Sequence, residues 1–253
     1  MITGVLFDFS GTLFRIESVE SWLRAVLRTS DVSMPEDEIR RAAAGLEAAG
    51  ALPGGSTPQR MPDELARAWE VRDRDASLHR AVYTRLSRQV DLPEPDLHDT
   101  LYDRHKTPAA WNPYPDAEPV LAGLRSRGVA VGVVSNIGWD LRPVFRSHGL
   151  DRYVDTYVLS YEHGIQKPDS RIFALACEKL GLAPGEVLMV GDERRADGGA
   201  ARIGCRVHFV DHLPVGERPD GLLPVLDLTG PDGLAGPDAG GPGLTGDGRA
   251  PRR

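Results

Sequence analysis

The run Val5-Leu6-Phe7 closes on Asp8 and passes at once into Phe9-Ser10-Gly11-Thr12. Apolar side chains at successive positions leave no polar face, so a strand over residues 3–8 has to be buried on both sides, as in a parallel sheet covered by helices. A carboxylate at the end of such a strand, followed by a glycine turn, stands where open α/β sheets form their ligand crevice. The pattern returns twice. Val129 to Val134 runs into Ser135-Asn136, and Val187 to Val190 runs into Gly191-Asp192.

Between Phe14 and about Ala109 the periodicity is helical throughout. Ile16 to Leu27 carries Trp22, Leu23, Val26 and Leu27 on one face, and Glu36 to Leu46 opens after Pro35. Pro62 to Val90 has apolar residues at helical spacing, with a flaw around Arg72 to Ser77 that predicts two helices. Asp96 to Arg104 is a further short helix, and Ala51 to Pro58 is a loop. From Asn112-Pro113 the strand–helix alternation resumes. It predicts helices over Ala117–Arg127, Leu141–His148, Ser170–Leu180 and Gly198–Ile203, and short strands at Tyr157–Leu159 and Arg206–Val210. The fold expected is α/β: a doubly wound, Rossmann-like parallel sheet with an inserted α-helical cap domain. Residues 1–14 and 110–229 form the core, 15–109 the cap, and the Gly/Pro-rich stretch 230–253 a disordered tail.

A formal net charge of -7 and the lack of any Lys/Arg block argue against a nucleic-acid partner. No apolar run reaches the length of a membrane span. The opening residues carry no basic leader with a cleavage site. Cys177 and Cys205, both in apolar surroundings, read as core thiols rather than a disulfide framework. A cytoplasmic location is expected. Trp22 and Trp69 suit helical core faces, while any exposed cap aromatics would offer a homodimer surface. His79 lacks metal-ligand spacing. His105 and Lys106, beside the second hinge, read as solvated groups at a helix end.

Two carboxylates sharing a crevice repel unless a cation or proton joins them, so Asp8 and Asp192 call for a cation. Mg2+ suits hard oxygen ligands together with phosphate oxygens. Lys167, fixed by Pro168 just ahead of a helix, can neutralise a transferred phosphoryl group while Asp8 attacks phosphorus. The Ser135 hydroxyl can bind a phosphoryl oxygen, with Asn136 assisting. Thr12 either steadies the turn or touches the anion. Asp169 reads as a helix cap. Asp197 is expected to stand behind the site, holding Lys167 or water, or to cap the next helix. A small phosphorylated metabolite is the expected partner.

These stations, Asp8-Phe9-Ser10-Gly11-Thr12, Ser135-Asn136, Lys167-Pro168 and Gly191-Asp192 with Asp197, resemble the motifs of the haloacid dehalogenase superfamily over about residues 3–214. The resemblance implies an aspartyl-phosphate at Asp8 and Mg2+ held by Asp8, the Ser10 main-chain carbonyl and Asp192. One position departs from the pattern. Phosphatases of the family carry a second Asp where this chain has Ser10, and use it as general acid and then base. Serine has no pKa suited to that task. Two alternatives follow: a non-catalytic phosphate-binding or partner protein, and a 2-haloacid dehalogenase-like hydrolase of carbon–halogen bonds. Phosphonate cleavage would need a cap lysine, and the cap has only Lys106.

Overall fold

The computed structural model describes residues 1–230. The tail expected to be disordered falls, past its first residue, outside the described residues. Seven strands and eleven α-helices follow one another along the described residues. Strand β1 is Gly4–Phe7 and β2 is Phe14–Ile16; then come helices α1 Val19–Thr29, α2 Glu36–Ala48, α3 Asp63–Val71, α4 Ala76–Ser87 and α5 Leu97–His105. Strand β3 is Trp111–Pro113, followed by α6 Ala117–Ser126, β4 Ala130–Ser135, α7 Arg142–Ser147, β5 Thr156–Leu159 and α8 Ser160–His163. The chain continues through α9 Ser170–Leu180, β6 Val187–Gly191, α10 Arg194–Asp197, β7 Arg206–Phe209 and α11 Pro224–Leu228.

Five strands form one parallel sheet in the order β5-β4-β1-β6-β7. Alternate residues of the strands face opposite layers. Leu6, Val134 and Met189 pack with Ile172, Phe173 and Ala176 of α9 on one side. Val5, Phe7, Val131 and Val133 pack with Val120, Leu121 and Leu124 of α6 on the other. The sheet is therefore doubly wound. From β1 the chain builds β4 and β5 on one side, then crosses to build β6 and β7 on the other. The ends of β1 and β6 thus flank the switch point where such sheets bind ligands.

The flaw read at Arg72 to Ser77 is a 3₁₀ turn, Arg72–Arg74, between α3 and α4. Asp75 then starts α4 by accepting from the Leu78 N–H at 2.8 Å. Two strands escaped the sequence reading: β2 and β3 pair antiparallel as a ribbon at the base of the insert. Three residues each are too few to show an alternation. The expected helix at 198–203 is instead a short α10 running into a 3₁₀ segment.

Apolar packing is continuous from the sheet through Phe9, Phe14 and Trp111 into the insert, where Trp22, Leu23, Leu46 and Leu86 are buried. The exposed large apolar residues among those described are Met1, Leu213 and Leu223, none of them in the insert. No described helix is long and apolar enough to cross a membrane.

Candidate active site

Asp8 leaves the end of β1 with its N–H bonded to the Val190 carbonyl of β6 at 2.9 Å. Its carboxylate meets the Lys167 ammonium at 2.8 Å, and that ammonium also holds Asp197 at 2.6 Å. All three side chains are almost wholly removed from water, with relative exposures of 12% for Asp8, 2% for Lys167 and 0% for Asp197. The other Asp197 oxygen accepts from the Glu193 N–H at 3.0 Å. This carboxylate can lie flat on the main chain only because residue 191 is glycine; a Cβ there would fall 2.1 Å from Asp197 Oδ2. One oxygen each from Asp8, Asp192 and Asp197 lies within 4.8 Å of the others.

Charge is balanced by proximity rather than by water. Burial pushes the Asp8 carboxyl up to about 7; Lys167 opposes the rise, while Asp197 and Asp192 add to it. Burial by itself would lower Lys167, but Asp197 and Asp8 outweigh it and keep the ammonium charged far above neutrality. Burial also raises Asp192, yet the imidazole of His212 brings it below the ordinary range. Asp197 is raised, by burial working against Lys167.

Thr12 and Asn136, expected to bind substrate, each hold another residue of the site in place. Thr12 is fully buried and donates its hydroxyl to Asp192 Oδ1 at 3.2 Å, a bond that orients that carboxylate. Asn136 lines the crevice, but its amide spans the Lys167 main chain, accepting from the N–H at 2.7 Å and donating to the carbonyl at 3.0 Å. It sets the lysine's position. Ser135, 2% exposed at the end of β4, and Ser10 both line the crevice. Asp169 caps α9 through the Arg171 N–H.

His212 and Arg218 were not picked out from the sequence. His212 Nδ1 lies 2.5 Å from Asp192 Oδ2, and its other nitrogen contacts Arg15. Gly11, at φ +81°, leaves room for this pair; a Cβ there would sit 2.3 Å from His212 Nδ1. The buried Arg218 guanidinium donates to the carbonyls of Gly11 and Thr12 and stacks on Tyr114, tying down the turn that carries Asp8. A single histidine and a single arginine near the chain's end have no spacing signal of their own.

The crevice is roofed by the insert into a cavity of about 240 Å³, lined on the core side by Asp8, Ser10, Ser135, Lys167 and Asp192. The roof brings Trp69, Arg72, Asp73, His79 and Tyr83. Gln166 donates to the Glu70 carbonyl at 2.7 Å and the Ser160 hydroxyl to the Asp73 carbonyl, so the α3–α4 corner is fastened to the core. The Arg72 guanidinium lies 3.7 Å above the Trp69 ring. His79 and His105 are both buried and held neutral, so the expectation of a solvated His105 fails, and burial lowers His105 to about 3.

A family model described as haloacid dehalogenase-like hydrolase matches residues 2–203. A phosphoserine phosphatase of Thermus thermophilus is 40% identical over 109 residues, 42% of this chain and 43% of that protein. The (S)-2-haloacid dehalogenase 4A of Burkholderia cepacia is 37% identical over 110 residues, 43% of this chain and 46% of that protein. These two matches span less than half of each relative. A glyceraldehyde 3-phosphate phosphatase of Methanopyrus kandleri is 29% identical over 91% of this chain and 94% of its own. Among solved structures, the L-2-haloacid dehalogenase of Xanthobacter autotrophicus superposes with a TM-score of 0.58 at 24% identity, covering 91% of this chain and 85% of the other. With a doubly wound sheet, a carboxylate at its switch point and a family match over most of its length, the chain belongs to the haloacid dehalogenase-like hydrolases.

Proposed function

We propose that the protein is a Mg2+-dependent phosphatase of small phosphorylated metabolites, using Asp8 as nucleophile and the helical insert as a cap. The observation that carries this reading is the buried Asp8–Lys167–Asp197 chain beside Asp192. A site with this many carboxylates and one ammonium suits a divalent cation bound to an oxyanion better than a neutral ligand. Asp8, Asp192 and the Ser10 carbonyl would hold Mg2+, which supplies charge neutralisation for the phosphoryl oxygens. The donor set is all oxygen, as that ion requires.

The chain's own groups then have separate tasks. An Asp8 oxygen attacks phosphorus and forms an aspartyl-phosphate, which water hydrolyses. The Lys167 ammonium, held by Asp197 on a main chain that Asn136 fixes, offsets the charge on the transferred group, and the Ser135 hydroxyl donates to one of its oxygens. The cap limits water around the reacting bond. Both cysteines are free and buried, which fits a reducing compartment such as the cytoplasm.

Phosphate release from a panel of small phosphate esters tests this directly, with Asp8→Asn and EDTA as controls. Release that needs both Asp8 and Mg2+ is expected. No Asp8-dependent release from any ester, acyl phosphates included, would sink the reading. A second reading, halide removal from a 2-haloacid, draws on the apolar wall formed by Phe9, Trp111 and Trp139. It leaves the acidic cluster around Asp192 without a task. Metal-independent halide release would establish it in place of the first.

A further inference from the structure

The phosphatase reading leaves one task unassigned, because Ser10 cannot protonate a leaving group. Only one carboxyl from the insert lines the same cavity as Asp8 and Ser10, and that is Asp73. Its side chain is 5% exposed. Asp73 Oδ2 is 3.5 Å from Arg72 Nη2 and Oδ1 is 3.6 Å from His79 Nε2, at or past the limit of a hydrogen bond. The carboxyl is thus buried without a tight partner, unlike Asp197 with its contact of 2.6 Å. Arg72 is meanwhile occupied elsewhere, donating to the Trp69 carbonyl at 2.6 Å and to the Tyr83 hydroxyl at 3.2 Å. The bond from Ser160 to the Asp73 carbonyl holds this residue over the core.

Resting on the phosphatase reading, we infer that Asp73 is the general acid and base of this enzyme, supplied by the cap where relatives use the residue at position 10. As an Asp8 oxygen bonds to phosphorus, the P–O bond to the leaving group breaks and its electron pair stays on the leaving oxygen. The Asp73 carboxyl gives its proton to that oxygen. The resulting carboxylate then takes a proton from the water that attacks the aspartyl-phosphate, which restores the acid and releases Asp8. Burial raises Asp73, against Arg72 and Lys167, so the acid form persists to higher pH than for a free aspartate. The groups facing it are Arg72 on its own turn, His79 on α4, which stays neutral, the phenols of Tyr83 on α4 and Tyr102 on α5, both raised chiefly by burial, and Lys167 from the core.

The test compares an alkyl phosphate, glycerol 2-phosphate, with an aryl phosphate, p-nitrophenyl phosphate, whose leaving group needs no proton. In Asp73→Asn, kcat/KM, which reports formation of the aspartyl-phosphate and departure of the leaving group, should fall by about 10²–10⁴ on the alkyl ester and by less than about tenfold on the aryl ester. The alkaline limb of the wild-type pH profile, set by loss of the Asp73 proton, should vanish for the alkyl ester only. Adding Ser10→Asp to that variant should restore alkyl turnover. Equal losses of kcat/KM on both esters would overturn the inference and mark Asp73 as structural. If Asp73→Asn does not fold, the wild-type protein still decides: a steep fall of rate with leaving-group pKa means that no acid is present. Absence of Asp8-dependent release from both esters and from the wider panel, acyl phosphates included, removes the phosphatase reading itself, a result distinct from the loss of Asp73 alone.

Discussion

Two cations in this molecule hold two carboxylates each at the same distances. Arg24 of α1 reaches Glu20 at 2.8 Å and Glu36 at 2.6 Å. Lys167 reaches Asp8 at 2.8 Å and Asp197 at 2.6 Å. On distance alone they are equivalent. The Arg24 partners are 47% and 64% exposed, whereas those of Lys167 are 12% and 0% exposed. Water and salt screen the first cluster, and nothing screens the second. The lesson is that burial, not contact geometry, decides which ion cluster can be removed without consequence.

Removing the buried cation should give the largest effect. Lys167→Met leaves Asp8 and Asp197 facing each other without a counter-ion, and breaking such a buried network costs roughly 3–5 kcal/mol. Phosphatase activity should vanish as well. Urea unfolding in metal-free buffer measures the first and phosphate release the second. A midpoint unchanged from wild type would show that water reaches this cluster after all.

The cap sharpens the contrast through neutral buried groups. His105 is fully buried with its pKa lowered to about 3, and His79 is lowered too, in each case chiefly by burial. In the unfolded chain histidine titrates near 6.5, so between about 6.5 and 3 the unfolded state binds more protons than the folded one. Stability is therefore full above about pH 6.5 and falls as pH drops, by up to about 1.4 kcal/mol per pH unit for each such histidine. Asp8, Asp73 and Asp197 oppose this, because raised carboxyls favour the folded state as pH falls. His105→Leu should flatten the acid slope. An unchanged slope between pH 5 and 6.5 would mean that His105 is not held neutral in the native cap.

The sheet and the stations of the candidate site were legible because each obeys a local rule. Apolar strands end at Asp8, Ser135 and Gly191, and a proline and an Asp cap bracket the turn after Lys167. The cap was legible as helices, but its contribution to the site was not. Asp73 and His79 lie on a turn and a helix whose residues look solvated in sequence, and only docking onto Ser160 and Gly138 buries them. Likewise Thr12 and Asn136 could be placed at the crevice by motif. That one hydroxyl serves Asp192 and one amide serves Lys167 depends on contacts 180 and 31 residues away.

A smaller effect separates chemistry from stability within the core. Asp8→Asn should abolish turnover yet raise metal-free stability by on the order of 1 kcal/mol, because burial first, with Asp197 and Asp192 adding, raises this acid to about 7 and leaves it partly ionised at neutral pH. Thermal melts with and without EDTA test this. A lower melting temperature for the variant would mean that Lys167 gains more from Asp8 than the other carboxylates lose.

The smallest expected effect closes the comparison where it began. Arg24→Gln removes two short ion pairs, one of them bidentate to Glu36, and should leave the melting temperature unchanged within error at physiological salt. The exposed glutamates are already solvated, and freeing a long side chain returns entropy that offsets the lost attraction. Lowering the ionic strength should expose a small difference, since screening weakens as the Debye length grows. A loss comparable to that of Lys167→Met would show that contact distance had been the governing variable, and that solvent had little to do with it.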